Sequence, residues 1–536
     1  MQWAMMALAF CALGDEQPDT VAVCPPSFLE ALEPWIAYRT AQGHRVAVVP
    51  SSRSAADIRA AIRQHGQAGQ LRAVLLVGDA DPAAVRDPAV RARCTPTYML
   101  RAKVSVRFGS EPELATDNWY ADLDDDGVPD LAMGRITADT PAELARIVRK
   151  IQDYEQSPDQ GLWRRQVHIV AGIGSFGTLA DTVVEMAAKK FLTDGIPASY
   201  ATTMTYGNWQ SPYCPDPRLF HTATLQSLNA GGLFWVYIGD GQPRGLDEVR
   251  VPGGTFHILD ATDAEWLRCF RGQPIAVLLA CYTGAFDGRR DCLAEELLRA
   301  PGGPVAVLGG SRITMPYAMA VLSDALLDEC FRQKRPTLGE IILRAKRRLA
   351  ADDRDNPNRQ LLDALAAAFS PSADELRDER VEHVALFNLL GDPLLRIRHP
   401  DELAVRTESS ITAGGRLKIA VHGDYGGTGM LELVCRRDRL KTPPPDRSRF
   451  VPSEAFLRSL TDTYRAANDG VWLTHQVATD TGDFETELPV PDDTRGPCFV
   501  RVYLQGTDRF ALGAAPVFVR RPEDETVAAK GSKIVK

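Results

Sequence analysis

Residues 232–241 read "GLFWVYIGDG" and residues 274–288 read "PIAVLLACYTGAFDG". Both are apolar runs, rich in β-branched and aromatic side chains, that stop at small polar residues. Strands buried on both faces of a parallel sheet read this way, and ligands bind where such strands end. The second run delivers Cys281 at its tip, a candidate nucleophile, and the first delivers Asp240 between two glycines. Upstream, "TVAVCP" (20–25), "HRVAVVP" (44–50) and "LRAVLLVGDA" (71–80) alternate with helix-patterned segments at 27–42 and 54–66. "DLAMGRI" (130–136) leads into "TPAELARIVRKIQDYEQ" (140–156), where Thr-Pro supplies an N-cap and an N1 proline. A second series starts at "RRQVHIVAGIG" (164–174), takes in the two opening runs and "GPVAVLGGS" (303–311), and closes on "VALFNLLGDPLLRIR" (384–398). Strands alternating with helices indicate βαβ units and parallel sheets.

From about residue 402 the texture changes. Short alternating segments such as "RLKIAVHG", "GMLELVCR" and "CFVRVYLQG" are separated by glycine and proline, the pattern of an antiparallel β-sandwich. Residues 440–468 form a polar insertion with room for a short helix. The expected organisation is a leader (1–19), an α/β unit (20–160), a second α/β unit (161–400), a sandwich (401–520) and a tail (521–536).

The leader "MQWAMMALAFCALGDEQPD" has an apolar core of about a dozen residues, then small and acidic ones. It resembles a secretory signal, although no Lys or Arg precedes it. Export to the periplasm, the cell surface or the medium is the expectation, with a cytoplasmic protein as the alternative. No later segment approaches the ~20 apolar residues of a membrane span. A hydrophobic content of 45% and a charged content of 24% are those of a globular protein. The net charge of −9, acid and base interleaved, leaves no footprint for nucleic acid. The 10 cysteines include no CxxC, which argues against zinc ribbons and thioredoxin chemistry. Oligomeric state is not legible.

"DLDDDGVPD" (122–130) carries the D-x-D-x-D-G spacing of a calcium loop. Asp122, Asp124, Asp126 and Asp130 would supply carboxylate oxygens and Val128 a backbone carbonyl, while Gly127 permits the turn. Met133 stands where a bidentate Glu is usual, so a metal-free acidic turn is the alternative. "GIGSFG" (172–177) lacks the dinucleotide spacing, and "GGSR" (309–312) places Ser311 and Arg312 either beside the cleft or in a structural turn.

The blocks "VYIGDGQPRGLDEV" and "LLACYTGAFDG", with "YADLDDDGVPDLAMGRI" before them and "LFNLLGDPLLRIR" after, resemble the gingipain-like (C25) cysteine peptidases over roughly residues 20–400. The resemblance implies two caspase-like α/β subdomains followed by an immunoglobulin-like sandwich, and hydrolysis of protein or peptide substrates. It makes Cys281 the nucleophile, puts Gly241 and the Cys281 amide at the oxyanion, and gives Asp130 a position where the family has an acid orienting its histidine. The family's first block is Gly-His-Gly, whereas this chain has Gly239-Asp240-Gly241. An aspartate disfavours a neighbouring thiolate and is a poor proton donor near neutrality. His257, in "GGTFHILD" (253–260), is a substitute base if the 242–262 loop folds back, and otherwise a surface histidine. A peptidase impaired by Asp240 and an inactive pseudopeptidase that binds peptides or proteins are therefore both expected readings.

Overall fold

The computed structural model describes residues 17–51, 54–173, 195–353, 355–367 and 372–521. The leader reading, all but the first residue of the tail and most of "GIGSFG" fall outside those residues.

Both strand series enter one ten-stranded sheet. Its strands are β1 (Thr20–Cys24), β2 (Val46–Pro50), β3 (Ala73–Val77), β4 (Ala132–Ile136), β5 (Gln166–Ala171), β6 (Ala201–Tyr206), β7 (Phe234–Ile238), β8 (Ile275–Leu279), β9 (Ala306–Gly310) and β10 (Phe387–Leu390). Their spatial order is β2-β1-β3-β4-β10-β9-β8-β7-β5-β6. The first four run parallel with β10 beside β4, and β5 to β9 form a second parallel block. The blocks meet antiparallel at β9 and β10. The tips of β7, β8 and β9 therefore share one edge of the sheet with the start of β10. Strands β1, β3, β4, β8 and β9 are buried at every residue, which is why their sequences run apolar without alternating.

The contact between β4 and the end of β10 explains two short motifs. A Cβ on Gly134 would lie 2.5 Å from the Gly391 carbonyl oxygen, so only glycine lets the two backbones approach. The next residue, Asp392, accepts hydrogen bonds from Trp35 Nε1 and, at 2.7 Å, from Arg39 Nη2. Arg39, on helix α1 (Leu29–Ala41), also binds Glu155 of α2 (Pro141–Gln156) at 2.8 and 2.9 Å. Arg39 and Asp392 are wholly buried, and such a pair persists only because each charge is hydrogen-bonded on several sides. Arg135, next to Gly134, is equally buried and grips Asp117 at 2.7 and 2.8 Å. Its guanidinium sits 5.2 Å from the ring centroid of Phe286, which follows Cys281 in the chain.

The sandwich packs a sheet of Asp401–Glu402, Phe510–Arg520, Gly496–Gln505, Gly427–Cys435 and Val471–Thr479 against a three-stranded sheet of Ala404–Thr407, Arg416–His422 and Phe484–Pro489. Inward residues alternate with outward ones, as Leu417, Ile419 and Val421 show, and meet Leu431, Val500 and Val502 in a separate core. Among the described residues the cysteines are all free thiols. The 440–468 insertion contains a helix, the strap helix (Glu454–Asn468). Its Asn468 carboxamide accepts from Met204 N at 2.8 Å and donates to Met204 O at 3.0 Å. A helix of the sandwich thereby satisfies backbone groups of β6, the edge strand of the large sheet.

Candidate active site

Strands β7 and β8 are parallel neighbours with Ile238 opposite Leu279. Asp240 and Cys281 each lie two residues beyond those positions, so the register alone sets them side by side at the sheet edge. Gly241 closes the approach. A Cβ there would meet the Cys281 carbonyl oxygen and Thr283 Cγ2 at 2.7 Å, so its backbone can lie on the cysteine turn only without a side chain. That turn is strained, because Tyr282 takes a left-handed φ of 58° without being glycine. It is held by Tyr282 N donating to Arg312 O at 3.0 Å and Gly284 N to Gly310 O at 2.9 Å.

The Cys281 side chain is buried at 9% exposure. Its sulfur receives the Thr314 N–H at 3.3 Å and lies 3.6 Å from Thr314 Oγ1. Burial pushes the thiol up, the Thr314 donors and the cysteine's own amide pull it down, and the Asp240 carboxylate adds to the rise; the net direction is upward. At neutral pH this sulfur is a thiol. Thr314 is placed by its neighbour: Met315 N donates to His383 Nε2 at 2.7 Å, while His383 Nδ1 donates to Glu379 O at 2.7 Å. Full burial pushes His383 down to about 4, against the upward pull of the Glu379 carbonyl and the Glu382 charge, so it stays neutral. Below the loop, the Tyr237 hydroxyl donates to Asp240 O at 3.0 Å.

His257 ends a hairpin formed by Glu248–Val251 and Gly254–His257. Its Nε2 lies 2.9 Å from Asp263 Oδ2, and its ring centroid lies 4.9 Å from that of His221. His221 Nε2 lies 2.9 Å from the other oxygen, Asp263 Oδ1. The fold groups His257 with these two residues rather than with Cys281. Ser311 and Arg312 turn out to brace the turn: Ser311 Oγ donates to Ala115 O at 2.8 Å, and Arg312 pairs with Asp287 at 2.9 and 2.6 Å.

In the acidic loop, carboxylate oxygens of Asp122, Asp124 and Asp130 lie within 4.8 Å of one another. Asp126 stands aside, its oxygen accepting from Val128 N at 2.8 Å. Asp125 takes a left-handed φ of 66° and pairs with Arg59 and Arg63, each at 2.8 Å. Asp130 accepts from Leu123 N at 2.8 Å and Arg347 at 3.2 Å, and so faces the loop.

His221, Asp263, Thr314 and His383 were not singled out as site residues by sequence reasoning. No motif marks them; Thr314 becomes a neighbour of Cys281 only once β8 and β9 are known to be adjacent.

The sequence model of peptidase family C25 matches residues 14–398. This chain belongs to peptidase family C25. Lys-gingipain HG66 of Porphyromonas gingivalis is 23% identical over 306 residues, which are 54% of this chain and 15% of that protein. The chain thus spans only a small part of the length of such curated relatives. The crystal structure of gingipain R, an Arg-specific cysteine proteinase, superposes with a TM-score of 0.52 at 15% identity, covering 95% of this chain and 100% of that one. A structure described as a protease gives 0.53 at 15% identity, covering 94% and 98%. At these identities the structural likeness establishes the C25 fold.

Proposed function

We propose that this chain is a C25 peptidase scaffold whose Cys281 hydrolyses peptide bonds slowly, because Asp240 occupies the position of the family's histidine. The observation that carries this reading is the buried Cys281 thiol, raised by burial and by an adjacent carboxylate. A cysteine peptidase needs a thiolate to attack the scissile carbonyl and a proton for the departing amine. The backbone N–H groups of Gly241 and Cys281 would hold the oxyanion, and water would then release the acyl group from the sulfur. Asp240 opposes the first requirement electrostatically and serves the second poorly. A peptidyl acyloxymethyl ketone tests it. Slow labelling that vanishes in Cys281→Ala supports the reading. A chain that never labels, yet still retains unmodified peptides, supports the second one, a binding module that keeps the cleft without the chemistry.

Calcium is proposed for the acidic loop. Asp122, Asp124 and Asp130 offer hard oxygen donors within 4.8 Å of one another, which suits a hard cation, and Asp126 would have to turn inward to join them. The cation would rigidify the turn that leads into β4. Export is proposed from the apolar leader, and no helix among the described residues is long and apolar enough to cross a membrane.

A further inference from the structure

We propose that His221, His257 and Asp263 form a binding site for a late first-row divalent cation, zinc first. The three come from separate elements: His221 from the first turn of a helix (Phe220–Asn229), His257 from the end of the hairpin, and Asp263 from a 3₁₀ turn (Ala261–Trp266). Each offers one ligand atom, and these atoms all lie within 4.8 Å of one another. Both imidazoles present Nε2 to the same carboxylate, at 2.9 Å to Oδ1 and 2.9 Å to Oδ2. Around a tetrahedral zinc with bonds of ~2.0–2.1 Å, neighbouring donor atoms stand about 3.3 Å apart. The three ligand atoms, within 4.8 Å of one another, would draw in by at most about 1.5 Å to become three corners of that tetrahedron.

The carboxylate is oriented from behind. Asp263 is buried at 6% exposure, and its Oδ2 also accepts the Asp260 N–H at 2.8 Å. Support of this kind is what holds metal-binding carboxylates in place. The imidazoles face outward, with side chains 33% and 41% exposed, so a cation can enter and water can take the fourth position. Two imidazole nitrogens and one carboxylate select zinc, nickel or copper over calcium, which prefers all-oxygen sites. The acidic loop and this cluster are thus sites for different classes of ion.

Binding here would clamp the loop beside the nucleophile. The hairpin ending in His257 grows out of the Asp240–Gly241 segment, where Asp247 N donates to Asp240 O at 3.1 Å. The helix bearing His221 leads into β7, which delivers Asp240. One ion would cross-link the two chain segments flanking that residue. The inference rests on the cluster's geometry and does not need the chain to be an active peptidase.

The test uses the full chain, stripped with chelator, then titrated calorimetrically with zinc and spectroscopically with cobalt(II). The expected result is one saturable equivalent of zinc and the visible absorption of tetrahedral cobalt. His221→Gln and His257→Gln retain a side-chain donor toward Asp263 but lose the ligand nitrogen, so each should stay folded and weaken binding ~100-fold or more. Cys281→Ala and Asp124→Ala should leave the zinc isotherm unchanged. Absence of a saturable equivalent overturns the proposal. So does binding that survives in the double glutamine variant, or binding that disappears with Cys281→Ala.

Discussion

Two neighbouring regions of this molecule divide between them what a cysteine peptidase normally brings together. At the tips of β7 and β8 a thiol lies beside a carboxylate, buried and raised. At the end of the adjoining hairpin, His257 lies with His221 against the carboxylate of Asp263, on hydrogen bonds of 2.9 Å. The first region sets a thiol beside a carboxylate; the second sets two imidazoles beside one. What separates them is register. Asp240 is fixed next to Cys281 by the parallel pairing of β7 and β8, whereas His257 is fixed by its place at the end of a hairpin. Chemistry at a strand tip follows from which residue the sheet delivers, and a histidine elsewhere in the same loop does not substitute for it by proximity in sequence.

The largest effect should come from erasing that difference. Asp240→His places an imidazole beside the sulfur and removes the opposing charge, so peptidase turnover should rise ~10²-fold or more. Cys281→Ala in that background should abolish it. A rise that persists without Cys281, or no rise while His257→Ala removes existing activity, would break the comparison at its root.

His383 sharpens the comparison from below, because it holds the Thr314 turn while remaining neutral. Its folded value of about 4 lies under the ~6.5 of an unfolded histidine, so the unfolded chain binds the proton more readily in between. The contribution is fully present above pH ~6.5 and is lost as pH falls towards 4, up to about 3 kcal/mol. Denaturant melts of wild type and His383→Gln across this window should show a steeper acid loss in the wild type. Parallel curves would remove the group from the account.

Calcium should act on the acidic loop and leave the histidine cluster alone. At a calcium concentration ~100 times the dissociation constant, the stabilisation should be about 2.7 kcal/mol, read as a higher melting temperature. Asp124→Ala with Asp126→Ala should cancel the shift, and an unmoved melting curve under chelator would leave an acidic turn only.

The smallest effect concerns the thiol itself. Because its value is raised from 9.0, iodoacetamide alkylation of Cys281 should still be climbing with pH at pH 9. Asp240→Asn should speed alkylation near neutrality by roughly three- to tenfold, since one of the upward influences is gone. An identical profile in both proteins would mean that burial alone governs the sulfur.

Much of this was legible from the residues. Unalternating runs such as "AVLLV" and "IAVLL" announced doubly covered strands, and all ten residues are buried. The alternation in "RLKIAVH" announced a half-exposed strand. Both signals are local, because burial on one face or two imprints a period on the chain itself. The "GR" and "GDP" motifs were visible as motifs, but their reason was not: a Cβ on Gly134 would meet the Gly391 carbonyl oxygen and one on Gly391 would meet Ala306, contacts between segments far apart in sequence. The acidic loop was legible because its carboxylates come from one turn, yet the turn of Asp126 away from the other three was not.

The sequence by itself determined which groups this protein has to work with: a cysteine ending one buried strand, an aspartate ending another, and the covalent spacing of the acidic loop. Tertiary structure decided which of those groups meet. That two strand series become one sheet depends on β10 pairing with β4 of the first series as well as antiparallel with β9 of its own, contacts no local pattern encodes. That Thr314 meets the thiol while His383 holds the next residue, and that His221 and His257 share Asp263, depends on helices and hairpins docking across tens of residues. Periodicity records burial, which each residue experiences alone; a site is a set of distances, and those exist only after the chain has packed.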